Sequence, residues 1–177
     1  AFHPGAMNLA HETSISEAKD ISLAIVAPDG RDGMIQHAQQ LKEAGIPFIF
    51  DPGQGLPMFD GDDLMTFAKQ ATYIALNDYE AQLFQDRTGL SPAEIAEHVE
   101  ALIITRGAEG SQIYTDGKRI DIPCAKAEKL ADPTGCGDAY RAGLIHGISH
   151  GKDWEITGRI ASLLGAIKIE QHGTQNH

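Results

Sequence analysis

Cysteine is scarce in this sequence, and long apolar segments are absent. Only 2 of the 177 residues are cysteines, and Cys124 and Cys136 lie twelve positions apart with no Cys-x-x-Cys pair. This spacing predicts neither a disulfide framework nor a structural zinc site, and it fits a reducing compartment. No apolar run approaches the roughly 20 residues that a membrane-spanning helix needs. We therefore expect a cytoplasmic protein with no membrane partner.

Basic residues are also few, and two common nucleotide-binding motifs are missing. The 14 lysines and arginines face 25 aspartates and glutamates, which gives a formal net charge of −11. Because this charge repels a phosphate backbone, we expect no nucleic-acid partner. The absence of a Walker A motif (G-x-x-x-x-G-K-[ST]) excludes the ordinary P-loop kinases. The absence of a complete G-x-G-x-x-G argues against a nicotinamide-binding domain.

Four apolar runs are each followed by a polar or glycine-rich turn and, after the first three, by helical periodicity. The runs cover residues 22–27, 46–50, 72–76 and 101–104. Short strands that alternate with helices predict a parallel sheet covered by helices. A content of 42% hydrophobic and 22% charged residues is typical of a globular chain. We predict one α/β domain over residues 1–177, with a mostly parallel sheet flanked by helices.

The pattern changes after the fourth run. Residues 111–115 and 118–122 flank Asp116-Gly117, which is a strong signal for a β-hairpin. Two long helices are predicted to follow, the first from about 135–138 to about Gly151. The second helix carries one apolar stripe, formed by Ile156, Ile160, Leu163, Leu164 and Ile167.

Polar residues follow the apolar runs, at the edge where parallel sheets bind ligands. They are Asp29, Asp51, Asn77 and the pair Thr105-Arg106. Each of them alone is explained as a helix cap or turn residue, and for Asp29 this structural explanation is the preferred interpretation. Four such positions on one edge predict a polar rim that could bind a ligand.

The segment from Asp132 to Gly143, which reads Asp-Pro-Thr-Gly-Cys-Gly-Asp-Ala-Tyr-Arg-Ala-Gly, is the most informative. Gly135 and Gly137 allow successive amides to face one point where a helix begins, which predicts an anion cradle. Asp138 would repel a bound phosphate, but it would serve as a base for a hydroxyl that attacks phosphorus. The alternative is that Asp138 is a helix-start acid stabilised by the helix dipole. The spacing alone leaves both interpretations open.

Two further motifs each have a structural alternative. Asn77 and Glu80 are three residues apart at a helix start, where they could hold a hydrated Mg²⁺ or form a capping box. For this pair the capping box is the preferred interpretation from the sequence alone. The turn from Thr105 to Gly110 could line a nucleotide, or it could be a plain loop into the hairpin.

These three motifs, in this order, resemble the ribokinase-like (PfkB) family of small-molecule kinases from about residue 20 onward. The segments His3-Pro4-Gly5-Ala6-Met7-Asn8 and 171–176 are more similar to the adenosine kinase branch of that family. Two positions depart from the pattern. Cys136 stands where a smaller residue is usual, and Arg141 stands where an apolar residue is common.

The resemblance implies ATP-dependent phosphorylation of a primary hydroxyl on a sugar or nucleoside. It makes Asp138 the catalytic base and the amides of Gly135, Cys136 and Gly137 the anion hole. It assigns Mg²⁺ to Asn77 and Glu80, and in many members a monovalent cation such as K⁺ to Asp132 and Thr134. The residues expected to line the nucleotide are Asn77, Thr105, Arg106, Gly107, Gly110, His146, His172 and Gly173.

The family's N-terminal part, which supplies the first strands, a substrate motif and a lid, has no counterpart here. We therefore expect this chain to be the C-terminal, nucleotide-binding and catalytic part of a longer kinase, with a sugar or nucleoside substrate and a homodimer as partners. Expressed alone it would be inactive if the substrate contacts are missing. The competing hypothesis is a non-catalytic nucleotide-binding fragment or sensor that keeps the cradle.

Overall fold

A computed structural model describes residues 5–176 of the chain, so the His3-Pro4 part of the opening motif lies outside the described residues. Six strands within this range form one sheet, in the order β1 to β6. Each pair of consecutive strands is also a pair of neighbours in the sheet, and β1–β2 and β2–β3 are parallel. The strands are β1 Ala24–Val26, β2 Phe48–Phe50, β3 Tyr73–Asn77, β4 Ala101–Thr105, β5 Ser111–Thr115 and β6 Lys118–Ile122.

The helices follow the predicted alternation, with one addition. They are α1 Arg31–Glu43, α2 Gly61–Gln70, α3 Asp78–Thr88, α4 Pro92–Ala96, α5 Cys136–Ser149 and α6 Trp154–Ile169. Short 3₁₀ helices cover Gly5–Glu12, Ile15–Glu17, Gly53–Met58 and Gly107–Glu109. The prediction of an α/β fold with a sheet flanked by helices is confirmed, and the sheet is mixed. In residues 5–176, no helix combines the length and the apolar character needed to cross a membrane.

The chain divides into two compact units, which share strands β4 and β5. The first unit comprises the residues up to 103 together with 114–117, and the second comprises 104–113 and 118 onward. The prediction of one domain over 1–177 stays a prediction.

In the first unit, the helices begin at capping boxes that the sequence encodes locally. Asp60 accepts a hydrogen bond from the Asp63 amide at 2.9 Å before α2, and Ser91 caps α4 in the same way. The core beneath α2 contains Phe50 and Phe67, whose rings stack at 4.2 Å. Caps and apolar spacing together fix this helix on the sheet.

In the second unit, α5 and α6 pack closely because small residues face each other. A Cβ atom on Gly143 would lie 2.4 Å from the Ala161 Cα, and one on Gly147 would lie 2.5 Å from the Thr157 Oγ1. The start of α5 is fixed by a buried 2.6 Å hydrogen bond between the hydroxyls of Tyr140 and Ser111. This contact ties the helix to strand β5.

The structure confirms the hairpin and shows how far the apolar stripe of the last helix is exposed. Asp116 and Gly117 both have positive φ angles, 49° and 68°, as the two central residues of a type I′ turn require. On α6, however, three residues of the predicted apolar stripe, Ile156, Leu163 and Ile167, are exposed by 40% or more. The face buried against α5 is instead formed by smaller residues such as Ala161.

Candidate functional site

The turn before α5 has the backbone geometry that the predicted anion cradle requires. Gly135 precedes the helix in the left-handed conformation, with φ 85°, and it offers no side-chain cap. The Ala139 amide donates to the Gly135 carbonyl at 2.9 Å, and this is the first bond of the helical pattern. Helix geometry therefore leaves the amides of Gly137 and Asp138 available to an anion at the positive end of the helix dipole.

The cradle differs from the prediction at Cys136. Its amide donates to the Pro133 carbonyl at 3.1 Å, so it is already used inside the turn. Of the three amides that the resemblance assigned, Gly135 to Gly137, only that of Cys136 is bonded to another group in the part of the chain that the structure describes. Burial raises the pKa of the Cys136 thiol, with the neighbouring Asp132 carboxylate adding to the effect. The thiol thus stays protonated and adds no negative charge to the cradle.

Asp138 lies in the first turn of α5 and is exposed. Within residues 5–176 its carboxylate has no hydrogen bond or ion pair. A catalytic base must reach the hydroxyl of a bound substrate, so an accessible carboxylate beside free amides meets this requirement. The role of Asp138 as a base remains a prediction.

Asp132 holds the turn in place through both its carboxylate and its carbonyl. One carboxylate oxygen accepts from the Thr134 amide at 2.9 Å, and the other accepts from the Gly173 amide at 3.0 Å. These bonds, with the Lys168 ammonium nearby, hold the pKa of the Asp132 carboxyl well below its usual range. The Asp132 carbonyl oxygen accepts from the Lys168 Nζ at 3.0 Å. Of the two predicted cation ligands, Asp132 is therefore already bonded through its carbonyl and both carboxylate oxygens, and Thr134 is bonded to it through its amide.

Asn77 and Glu80 form the capping box of α3. The Glu80 amide donates to the Asn77 Oδ1, and the Asn77 amide and Nδ2 donate to separate Glu80 carboxylate oxygens, each at 2.8 Å. Within residues 5–176 no group of three His, Cys, Asp or Glu side chains could bind a metal directly. The pair fits a Mg²⁺ held through water, because this ion keeps several of its waters.

The predicted nucleotide loop after β4 is folded on itself. The Arg106 amide donates to the Gly110 carbonyl at 2.8 Å, and the Arg106 guanidinium pairs with Glu109. Gly110 is packed tightly, since a Cβ there would overlap the Ile122 carbonyl, whereas Gly107 faces open space. Thr105 ends the strand and is half-buried. A nucleotide at this loop would compete with Glu109 for Arg106.

The histidines expected near the adenine lie in two places. His146 stacks on His150 with ring centroids 4.2 Å apart. It lies ten residues beyond Cys136, about 15 Å along the helix and hence distant from the cradle. His172 is exposed and follows α6, next to Gly173, whose amide is used by Asp132. Adenine and the terminal phosphate lie at opposite ends of ATP, so a large distance from the cradle is compatible with a position near the adenine. The role of the two histidines at the adenine stays a prediction.

A cavity of about 700 Å³ in the first unit lies at the carboxyl ends of β1 and β2, as the architecture predicts. Its lining residues are Met7, Asn8, Pro28, Asp29, Gly30, Arg31, Asp32, Gln54, Gly55 and Met58. The cap of α1 is Gly30, and the Asp29 carboxylate accepts from the Gly30 amide at 2.8 Å. Asp29 therefore lies in the turn before α1, which agrees with its interpretation as a cap or turn residue, although the cap position itself is Gly30. Asp29 also contributes an acceptor to the cavity wall.

Sequence reasoning missed Lys168, which is only 2% exposed. Its ammonium donates to the carbonyls of Asp132 and Gln171, at 3.0 and 3.1 Å. One signal was present in the sequence, since a single lysine interrupts the apolar segment Ala166-Ile167-Lys168-Ile169 near a helix end. A lysine in that position is usually explained by its interaction with the helix dipole. The sequence therefore does not distinguish this role from that of a buried lysine that binds carbonyls outside the helix.

Comparison with known proteins gives the same family for most of the chain. Residues 3–177 match the model of the pfkB family carbohydrate kinases. The chain is 38% identical to a nucleoside kinase of Methanocaldococcus jannaschii over 128 residues, which cover 72% of this chain and 42% of that protein. It is 26% identical to an adenosine kinase of Saccharomyces cerevisiae over 157 residues, which cover 80% of this chain and 46% of that protein.

The fold also matches solved structures. The nucleoside kinase of Burkholderia thailandensis, solved in complex with inosine, has a TM-score of 0.96 and 58% sequence identity. The match covers 99% of this chain and 59% of that one. A second structure of the same enzyme is described as a complex with ADP-inosine. The chain thus spans about half the length of the relatives that it matches.

Proposed function

The chain belongs to the pfkB family of carbohydrate kinases, and from this we propose that it carries the phosphoryl-transfer part of an ATP-dependent nucleoside kinase. The acceptor is a primary hydroxyl, that of the ribose in a nucleoside. Relatives named as nucleoside kinases support a nucleoside over a simple sugar. Inosine and adenosine are the first acceptors to test, since one relative is solved with inosine and another is an adenosine kinase. The use of ATP as the phosphoryl donor also favours a cytoplasmic location, which is part of the proposal.

The observation that carries the proposal is the start of α5, where an exposed carboxylate follows two available amides. Asp138 accepts the proton of the substrate hydroxyl while the hydroxyl oxygen attacks the γ-phosphorus of ATP, and ADP leaves. The amides of Gly137 and Asp138 stabilise negative charge on the transferring group. The left-handed Gly135 is needed because an added Cβ would be strained there and would lie 3.3 Å from Thr174.

The remaining assignments follow the family resemblance. Asn77 and Glu80 hold a hydrated Mg²⁺, which when bound neutralises charge on the phosphate oxygens. The nucleotide contacts Thr105, Arg106, Gly107 and Gly110, with the adenine near His146, His172 and Gly173. Arg106 becomes available to the nucleotide when its ion pair with Glu109 opens. A homodimer remains part of the proposal.

The test compares Asp138→Asn with wild type in the parent protein, expressed from the whole reading frame that contains this sequence. Asparagine keeps the shape of the side chain but cannot take the proton. We expect transfer from γ-labelled ATP to fall by about 10²–10⁴-fold, as for loss of a general base. ADP binding, measured by calorimetry, should change little because the amides stay in place.

The matched control is Glu155→Gln, which removes an exposed acid from the first turn of α6. It should leave transfer unchanged. Acceptors are inosine, adenosine, ribose and fructose. Equal loss of transfer and ADP binding in Asp138→Asn would show a structural role and contradict the proposal. Wild-type protein that binds ADP but phosphorylates none of the acceptors would favour the sensor hypothesis.

A further inference from the structure

Lys168 places a buried positive charge among carbonyl oxygens. It lies in the last turn of α6, and its Nζ is within 3.0 Å of the Asp132 carbonyl and 3.1 Å of the Gln171 carbonyl. The negative charge that faces this ammonium is the Asp132 carboxylate. A buried lysine is stable only when its charge and hydrogen bonds are satisfied. Two carbonyls and a nearby carboxylate provide this.

A small monovalent cation would use the same atoms. The family resemblance assigns such an ion to Asp132 and Thr134, so we tested whether these residues fit one. The Asp132 carbonyl is bonded to Lys168, and both carboxylate oxygens are bonded to the amides of Thr134 and Gly173. A second cation at the same carbonyl would lie beside the buried ammonium and would be repelled by its like charge. The residues present do not fit a bound K⁺.

We propose that the Lys168 ammonium takes the place of a monovalent cation and positions the cradle turn, so that phosphoryl transfer by this protein does not depend on K⁺. This inference rests on the proposed function. Lys168 acts through other residues and contacts no reacting atom, so it is a positioning residue.

The connection from Lys168 to the cradle is short. The amides of Ala131 and Asp132 both donate to the Ile169 carbonyl, at 2.8 and 3.1 Å, which docks the turn on the end of α6. From the other side, the Gly173 amide binds the Asp132 carboxylate. Lys168 joins the two segments by bonding a carbonyl in each. Loss of the ammonium would remove the link between these two carbonyls and loosen the turn that begins α5.

The experiment uses two variants that differ in the space they leave. Lys168→Ala removes the charge and opens a cavity, whereas Lys168→Met removes the charge and fills it. Lys152→Met, at an exposed lysine before α6, is the matched control. All are made in the parent protein and compared in choline, Na⁺, K⁺ and NH₄⁺ chlorides at constant ionic strength. The readouts are kcat, the KM for ATP, and the thermal midpoint without substrates.

In wild type and Lys152→Met, we expect kcat and the midpoint to be the same in K⁺ and choline. In choline, kcat of both Lys168 variants should fall by about 10- to 100-fold, as expected when a cradle is displaced, with a smaller change in KM. K⁺ or NH₄⁺ should restore kcat and raise the midpoint of Lys168→Ala but not of Lys168→Met.

Three results would overturn the inference. They are activation of wild type by K⁺ over choline, wild-type behaviour of Lys168→Ala in choline, and failure of every cation to restore Lys168→Ala. The thermal midpoints need no catalysis, so they test the cation site even if no acceptor is phosphorylated. If the variants do not fold, the response of wild type to K⁺ still decides the question.

Discussion

Charge near the cradle is controlled by single residues at the start of α5. Asp132 is ionised, because two amides bind its carboxylate, and Lys168 balances it from the buried side. Cys136 stays neutral because burial raises its thiol pKa. The remaining acid is Asp138, which is exposed. An incoming phosphate therefore meets two amides, a helix dipole and one carboxylate that can take a proton.

A second residue-scale feature predicts a dependence of stability on pH. Burial, followed by the charge of Glu100, raises the pKa of Tyr73 to about 12. The Tyr73 hydroxyl donates to a Glu100 carboxylate oxygen at 3.1 Å. Unfolded tyrosine loses its proton near pH 10, whereas folded Tyr73 keeps it, so stability is present below pH 10 and is lost as pH rises toward 12. Urea midpoints of wild type should fall over this range more than those of Tyr73→Phe.

The control for this prediction is Tyr79→Phe, at a residue that is 71% exposed. Between pH 10 and 12 the urea midpoint of Tyr79→Phe should fall by as much as that of wild type, since both proteins keep the contact between Tyr73 and Glu100. Parallel pH curves for wild type and Tyr73→Phe would contradict the prediction.

At the residue scale, local signals predicted more than long-range contacts did. The glycines around a helix start pointed to the cradle because helix dipole and free amides depend only on neighbours in sequence. The partner of Asp132 could not be predicted in this way, because Lys168 lies 36 residues further along the chain. The family resemblance assigned the Cys136 amide to the anion hole, and no sequence signal revealed that this amide donates to the Pro133 carbonyl.

At the element scale, the contact of α5 with α6 depends on the absence of side chains. We predict that Gly143→Ala destabilises the protein by about 1–3 kcal/mol, because its Cβ would overlap the Ala161 backbone and force the helices apart. This outcome opposes the helix propensity, which favours alanine by about 1 kcal/mol. Urea unfolding of the parent protein measures the change.

Gly165→Ala on α6 is the matched control, because its Cβ would meet its nearest neighbour, the Cys136 carbonyl, at an ordinary 3.7 Å. There propensity should dominate, and the protein should gain up to about 1 kcal/mol. If Gly143→Ala were as stable as Gly165→Ala, close packing of the two helices would not be the reason for Gly143.

Elements with strong local signals were predicted closely, and those set by packing were not. The hairpin strands Ser111–Thr115 and Lys118–Ile122 were predicted with the observed bounds, because the turn fixes their register. The five-residue helix α4 was missed, since it has less than two turns of periodicity. On α6 the apolar stripe was predicted, but the sequence did not indicate which face packs on α5, where only small residues fit beside Gly143 and Gly147.

At the scale of the whole molecule, the sheet has two edge strands, which are β1 and β6. In the relatives that the chain matches, this length is about half of the protein. The family could be predicted from three short motifs because their order and spacing carry it. The substrate could not be predicted from those motifs, since they concern the phosphate and the base.

A whole-molecule prediction concerns the 177-residue chain expressed alone. Its helix α6 presents Ile156, Leu163 and Ile167 on one face, each 40–52% exposed. Contiguous apolar surface of this kind drives association, and the β1 edge adds unpaired backbone groups. We therefore expect light scattering after size exclusion to show concentration-dependent oligomers. The double variant Leu163→Gln/Ile167→Gln should shift them toward monomer, because it removes apolar area without changing charge.

The matched control for this prediction is Glu155→Gln/Arg159→Gln, which replaces two exposed polar residues on α6 and also leaves the net charge unchanged. It removes one exposed ion pair, which contributes about 0.3–0.5 kcal/mol, so it should not alter association. A monodisperse monomer of the isolated chain at all concentrations would contradict the prediction. Equal effects of the two double variants would show that association does not depend on the apolar character of α6, and would leave the β1 edge as its physical cause.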